Sequence, residues 1–129
     1  MKKAREVLLL AASIAVGAPA LAGWTAFGED GRNAVWYVDP ESVRTVGELR
    51  QVWAMKDMAQ PVIDFDLSMQ FLYEVDCQGR RQRLLEYQSF KGRMGGGQPT
   101  RGGMVFGDWA VAAPGTVGGR IISAACARS

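Results

Sequence analysis

The chain contains no histidine. That absence removes Ser-His-Asp and Cys-His mechanisms, histidine-ligated zinc, and the side chain that most often moves protons near neutral pH. Cysteine is scarce too, Cys77 and Cys126 being the two in 129 residues. No apolar run reaches the roughly 20 residues that a membrane-spanning helix needs. No internal repeat is visible, and neither an Asp-x-Asp-x-Asp-Gly calcium loop nor a Gly-Lys-Ser/Thr phosphate loop is present. These gaps predict a chain that is not an enzyme and carries no cofactor and no metal.

What is present begins with a compartment signal. Lys2, Lys3 and Arg5 form a positive start, and Val7 to Val16 is apolar apart from Ser13. Gly17 and Pro19 then interrupt the run, and Ala20-Leu21-Ala22 supplies a small-x-small cleavage pattern. Such a run covers only about 15 Å as a helix, half of the roughly 30 Å of a bilayer core. Residues 1–22 therefore read as a secretory signal, cleaved after Ala22, with no cysteine beside the cleavage site to take a lipid. The expectation is an exported protein of a Gram-negative bacterium, periplasmic or at the outer surface, with no membrane span once the signal is gone. Basic residues exceed acidic ones by 15 to 13 over the whole chain. The signal removes three basic residues and Glu6, so the remainder is balanced, and the charge gives no argument for a nucleic-acid partner.

Residues 23–129 suit one domain. An oxidising compartment makes a Cys77–Cys126 disulfide the default, the alternative being two free buried thiols.

Turn signals then divide the chain. Trp24 to Phe27 reads as a strand, Asp30-Gly31 as a tight hairpin turn, and Ala34 to Val38 as its return. Asp39-Pro40-Glu41-Ser42 reads as a turn, followed by a brief strand Val43 to Val46 and a longer one over Glu48 to Met58. Pro61 ends that strand. Met69, Phe71, Tyr73, Val75 and Cys77 alternate with Gln70, Leu72, Glu74 and Asp76, the period of a half-buried strand. Gln78-Gly79 turns the chain, and Arg80 to Phe90 returns. Lys91 to Gly103 holds six glycines, three basic residues and no acid, and reads as a mobile loop. Met104 to Val111 reads as one more strand. Thr116 is positioned to cap a last helix whose apolar stripe is Val117, Ile121, Ile122, Ala125 and Cys126. The fold class is α+β: an antiparallel meander of about six strands, with one C-terminal helix packed on one face and disulfide-tethered to it.

Candidate functional residues are few. Asp64 and Asp66 sit two apart and read as a solvated connection rather than a carboxylate pair. Gly95-Gly96-Gly97 reads as a turn, and the scattered methionines as core filling. Arg80, Arg81 and Arg83 follow the Gln78-Gly79 turn, with Glu74, Asp76 and Glu86 placed to pair with them across the hairpin. Lys91, Arg93 and Arg101 have less compensation, and suit an acidic protein or a sulfated glycan.

The order of motifs resembles the surface-adhesin protein E family. The residues that carry the resemblance are Trp36-Tyr37-Val38-Asp39-Pro40-Glu41-Ser42-Val43, Val52-Trp53, Phe71-Leu72-Tyr73-Glu74-Val75-Asp76-Cys77, Arg80 to Arg83, Gly92-x-Met94-Gly95, Trp109, Pro114-Gly115-Thr116 and Cys126. The resemblance implies a six-stranded antiparallel sheet with a C-terminal helix held to its concave side by one disulfide, Cys77 and Cys126 taking the cysteine positions. It also implies adhesion to a host matrix glycoprotein such as vitronectin or laminin. The surface expected to do this is the Leu67 to Phe90 hairpin with the adjacent glycine-rich loop. An edge strand pairing with a partner or with a second copy, a homodimer, is a further expectation. The competing readings are a carrier of a small apolar ligand between sheet and helix, and a structural periplasmic domain.

Overall fold

The computed structural model describes residues 23–59 and 66–127. The expected signal (1–22), Pro61 and Asp64 lie outside the described residues. Among the described residues, seven antiparallel strands form one sheet: β1 (Thr25–Glu29), β2 (Ala34–Val46), β3 (Leu49–Met58), β4 (Ser68–Asp76), β5 (Arg81–Phe90), β6 (Pro99–Met104) and β7 (Ala110–Val111). The first six run side by side in chain order, and the two-residue β7 also pairs with β5. The one α-helix among the described residues, α1 (Val117–Ala127), lies across β2, β3, β4 and β5.

The alternation in β4 has the expected result. Phe71 and Val75 are buried, and Val75 joins Val38, Val52, Ala54, Ile121, Ile122 and Ala125 in one cluster between helix and sheet. Thr116 Oγ1 accepts the N–H of Gly119 at 3.1 Å and caps the helix. Gly118 and Gly119 each weaken a helix by about 1 kcal/mol relative to alanine, yet Gly119 is required by packing. A Cβ on Gly119 would run into the Ala113 carbonyl, whereas one on Gly118 meets the movable end of the Gln82 side chain at 2.6 Å. Fully burying Ile121 and Ile122 stabilises by roughly 1.5–3 kcal/mol each, which more than offsets the glycines. Side chains of helix and sheet pack on one another across this layer.

Cys77 and Cys126 are bonded, with Cα atoms 5.8 Å apart. The bond joins the end of the β4 register to the last turn of α1.

Several boundaries differ from the sequence expectation. Asp39 to Ser42 turns without ending the strand: β2 runs on to Val46, with its register against β3 shifted between Asp39 and Arg44. Asp39 Oδ1 accepts the Glu41 N–H at 3.0 Å, and Ser42 Oγ donates to the Asp39 carbonyl at 2.7 Å. The same hydroxyl accepts the N–H of Trp53 at 3.0 Å, standing in for a ladder carbonyl. The first hairpin is wider than an Asp-Gly turn. Its left-handed residue is Asn33, with φ 65°, and Asp30 Oδ1 accepts the N–H groups of Arg32 and Ala34. Arg80 belongs to the β4–β5 turn, with φ 49°, rather than to β5.

The glycine-rich segment is not a free loop. Arg93–Gly95 form one 3-10 turn, and β6 occupies Pro99–Met104. Met104 to Val111 is not one strand. After Met104 the N–H groups of Val105 and Phe106 both reach the Leu85 carbonyl, and Phe106 takes φ 51°, before β7 resumes the pairing. Two of the methionines, Met55 and Met58, are core residues, but Met104 is 58% exposed.

Candidate functional site

The β4–β5 turn and the start of β5 build the first basic cluster. Gly79 donates its N–H to Asp76 Oδ1 at 3.2 Å, and Arg81 Nε donates to Asp76 Oδ2 at 2.9 Å. These two bonds hold the Asp76 carboxyl below its ordinary range. Arg83 donates from Nε and Nη2 to Glu74 Oε1, at 3.0 and 2.8 Å. Both pairs follow the strand register, in which Glu74 faces Arg83 and Asp76 faces Arg81. The Trp109 ring then covers both cations, with each guanidinium carbon 5.0 Å from its centroid. Each such contact contributes about 0.5–1 kcal/mol at an exposed site. Arg80 is exposed at the tip. The result is an aromatic and cationic plate with two fixed guanidiniums and one projecting arginine.

Trp109 is one of the residues that carry the family resemblance, but no local pattern in the sequence places it over Arg81 and Arg83. It lies in the irregular segment between β6 and β7, whose path depends on the Leu85 carbonyl accepting two N–H groups.

The second basic group lies at the other end of β5. From Arg81 to Phe90 a strand spans about 30 Å at the usual rise, so the two groups do not form one continuous surface. Within the second group the expectation of little compensation is corrected for two residues. Arg93 donates from Nε and Nη2 to Asp57 Oδ2, at 3.1 and 2.6 Å, while the Met94 N–H reaches Asp57 Oδ1 at 2.7 Å. Asp57 is 1% exposed. Its bonds, with the Gly95 N–H to Ser68 Oγ at 2.9 Å, pin the 3-10 turn onto β3 and β4. Hydrogen bonding to Asp57 raises the pKa of Arg93. Arg101 Nη2 lies 3.7 Å from Asp66 Oδ2, which also accepts from Thr100 Oγ1 at 2.9 Å. Asp66 is 4% exposed, so it is a buried anchor for β6 rather than part of a solvated connection. Lys91 is exposed.

On the helix side of the sheet, Trp36 stacks on Phe71 with centroids 5.5 Å apart, and Lys56 Nζ lies 5.9 Å from the Trp36 centroid. Burial works against the charged form of Asp30. The N–H groups of Arg32 and Ala34, the Trp36 indole and Lys56 outweigh it and hold this carboxyl below its ordinary range. Among the described residues, no three Asp, Glu or Cys side chains are grouped to hold a metal ion, and no helix is long and apolar enough to cross a membrane.

Among the described residues, one antiparallel sheet, a single helix stapled to it by a disulfide, and cation–aromatic clusters at strand ends define a small disulfide-closed α+β domain. The chain belongs to the surface-adhesin protein E family, whose sequence model matches residues 24–127. Among solved structures it is similar to Haemophilus influenzae protein E. Crystal form II of that protein is 12% identical, with 82% of this chain and 88% of that chain covered and a TM-score of 0.67. Protein E from non-typeable Haemophilus influenzae is 13% identical, with coverages of 81% and 74% and a TM-score of 0.60. At these identities the likeness is one of fold. No curated protein sequence matches the chain.

Proposed function

We propose that this chain is an exported, non-catalytic envelope adhesin that binds a protein partner, a host matrix glycoprotein such as vitronectin or laminin, through the tip of the β4–β5 hairpin. The observation that carries the reading is the Trp109 ring held over Arg81 and Arg83 at 5.0 Å each. Tryptophan and arginine are the residues most enriched where binding energy concentrates, and a pre-ordered pair loses little entropy on association. Arg80, projecting from the same tip, supplies the charge that steers an acidic partner. Lys91, Arg93 and Arg101 are assigned a lesser part, since Arg93 and Arg101 already serve buried carboxylates.

The test is binding of the purified protein to immobilised vitronectin and laminin at two salt concentrations. Arg80→Gln with Trp109→Ala should weaken binding at least tenfold and flatten its salt dependence, while Lys91→Gln changes it less than twofold. Equal binding by all three proteins would overturn the site, and binding to neither matrix protein would overturn the partner class. Export is tested separately. The native protein should begin at Gly23 by mass spectrometry, and protease treatment of intact cells should remove it if it is displayed at the surface.

A further inference from the structure

Cleavage after Ala22 would leave Gly23 as the first residue, and Gly23 stands against Asp39. The strand register brings them together. Thr25 pairs with Val38, so the residues before Thr25 run on alongside Asp39. Gly23 has φ 99°, a conformation that suits glycine. A Cβ built on it would lie 2.7 Å from Asp39 Oδ1 and 3.3 Å from Oδ2. The carboxylate is held there, since Oδ1 accepts the Glu41 N–H at 3.0 Å. Among the described residues, no lysine or arginine pairs with Asp39.

A carbon atom 2.7 Å from an oxygen is too close. An ammonium nitrogen at that distance makes a short, charge-assisted hydrogen bond. In the uncleaved chain the Gly23 nitrogen is an uncharged amide, tied into a planar peptide. Hydrolysis of the Ala22–Gly23 amide by water leaves a carboxylate on Ala22, which departs, and an ammonium on Gly23, which stays. A turn of about 120° about the Gly23 Cα–C bond then carries the nitrogen to the place of the built Cβ, because an N–Cα bond is nearly as long as a Cα–Cβ bond.

We infer that the α-ammonium created by cleavage after Ala22 pairs with the Asp39 carboxylate, so that removal of the signal fastens the start of β1 to the bend in β2. The pairing rests on the export reading, which makes Gly23 the first residue. Asp39 also opens the stretch over which β2 shifts register against β3, so the processed terminus braces that irregularity. A chain that keeps even one more residue carries its charge elsewhere and lacks the brace.

Two forms of the purified protein test this, one starting at Gly23 and one retaining Ala22. At about pH 7 the Gly23 form should have an unfolding equilibrium constant about two- to fivefold smaller, the range of exposed ion pairs. Asp39→Asn keeps an acceptor for the Glu41 N–H and removes the charge, so it should erase that difference. A paired amine holds its proton more tightly when folded. The difference should therefore be complete below the ordinary amine pKa of about 8 and fade as pH rises past it. Acylation of the Gly23 amine at about pH 7 should run about two- to fivefold slower in the parent than in Asp39→Asn, an effect that a purely structural role for Asp39 would not produce. Equal stability of the two forms, or equal acylation rates, would overturn the pairing. Mass spectrometry of the native protein separates the two readings. A start other than Gly23 overturns the cleavage site and the brace with it, whereas a Gly23 start without these differences overturns the ion pair alone.

Discussion

Arg50 Nη1 donates to the carbonyl oxygen of Ala125 at 2.9 Å, from β3 into the last turn of α1. The final carbonyls of a helix have no partner within it and carry partial negative charge. α1 has no basic residue of its own in that turn, so the sheet supplies the cation. The contact joins residues 75 apart in sequence, and it lies beside the disulfide. Arg50→Met keeps the apolar stem and removes the donor. It should lower stability by about 1–2 kcal/mol, read as a shifted denaturation midpoint. Exchange protection should fall first at the C-terminal amides of α1.

The Cys77–Cys126 bond closes a separation of 49 residues. Cys77→Ser with Cys126→Ser should cost roughly 2–4 kcal/mol. An eleven-residue helix is marginal alone in water, so α1 should exchange faster than β3 and β4 in the reduced protein. Unchanged protection across Val117–Ala127 would show that Ile121, Ile122 and Arg50 suffice to hold the helix.

Arg93 and Arg101 resemble one another in sequence and differ in what depends on them. Asp57 is enclosed and takes two of its three bonds from Arg93. Arg93 itself is half exposed, and solvent screening moderates the pair. Arg93→Gln should therefore cost less than the full penalty of a stranded buried charge, and should loosen residues 91–97. Arg101→Gln should cost less, because Thr100 still serves Asp66. Chemical denaturation of both variants beside the parent protein checks the order; equal losses would contradict it.

Legibility followed side-chain periodicity. Phe71, Val75 and Cys77 advertise a strand with one covered face, and Ile121, Ile122 and Ala125 advertise a helix stripe, because burial of each depends on its own phase along the chain. β6 escaped notice for the opposite reason. Thr100-Arg101-Gly102-Gly103 has no apolar alternation, and its pairing is set by the exposed edge of β5. The continuation of β2 past Pro40 depends on one hydroxyl, that of Ser42, replacing a backbone acceptor. The site shows the same division. Glu74–Arg83 and Asp76–Arg81 follow from hairpin register, whereas Trp109 over the two arginines and Asp57 beneath Arg93 are contacts between segments whose relative placement no local pattern encodes.

Tyr73 offers a pH-dependent check on the helix side of the sheet. It packs against the core, with its ring 6.0 Å from that of Phe71. Burial pushes its hydroxyl from the ordinary value of 10.0 up to about 12. A folded-state pKa above the unfolded one means that the native state holds its proton more tightly. The associated stabilisation is complete below about pH 10 and is lost as pH rises through about 12, amounting to roughly 2 kcal/mol over that window. Tyr73→Phe keeps the ring and removes the titration. Denaturation midpoints of the two proteins should be similar at pH 9, and the parent should fall relative to the variant between pH 10 and 12. Tyrosinate absorbance of the native protein should rise late by one residue, and that late step should be missing from Tyr73→Phe. Parallel pH profiles for both proteins would show that the hydroxyl is solvated in the native state.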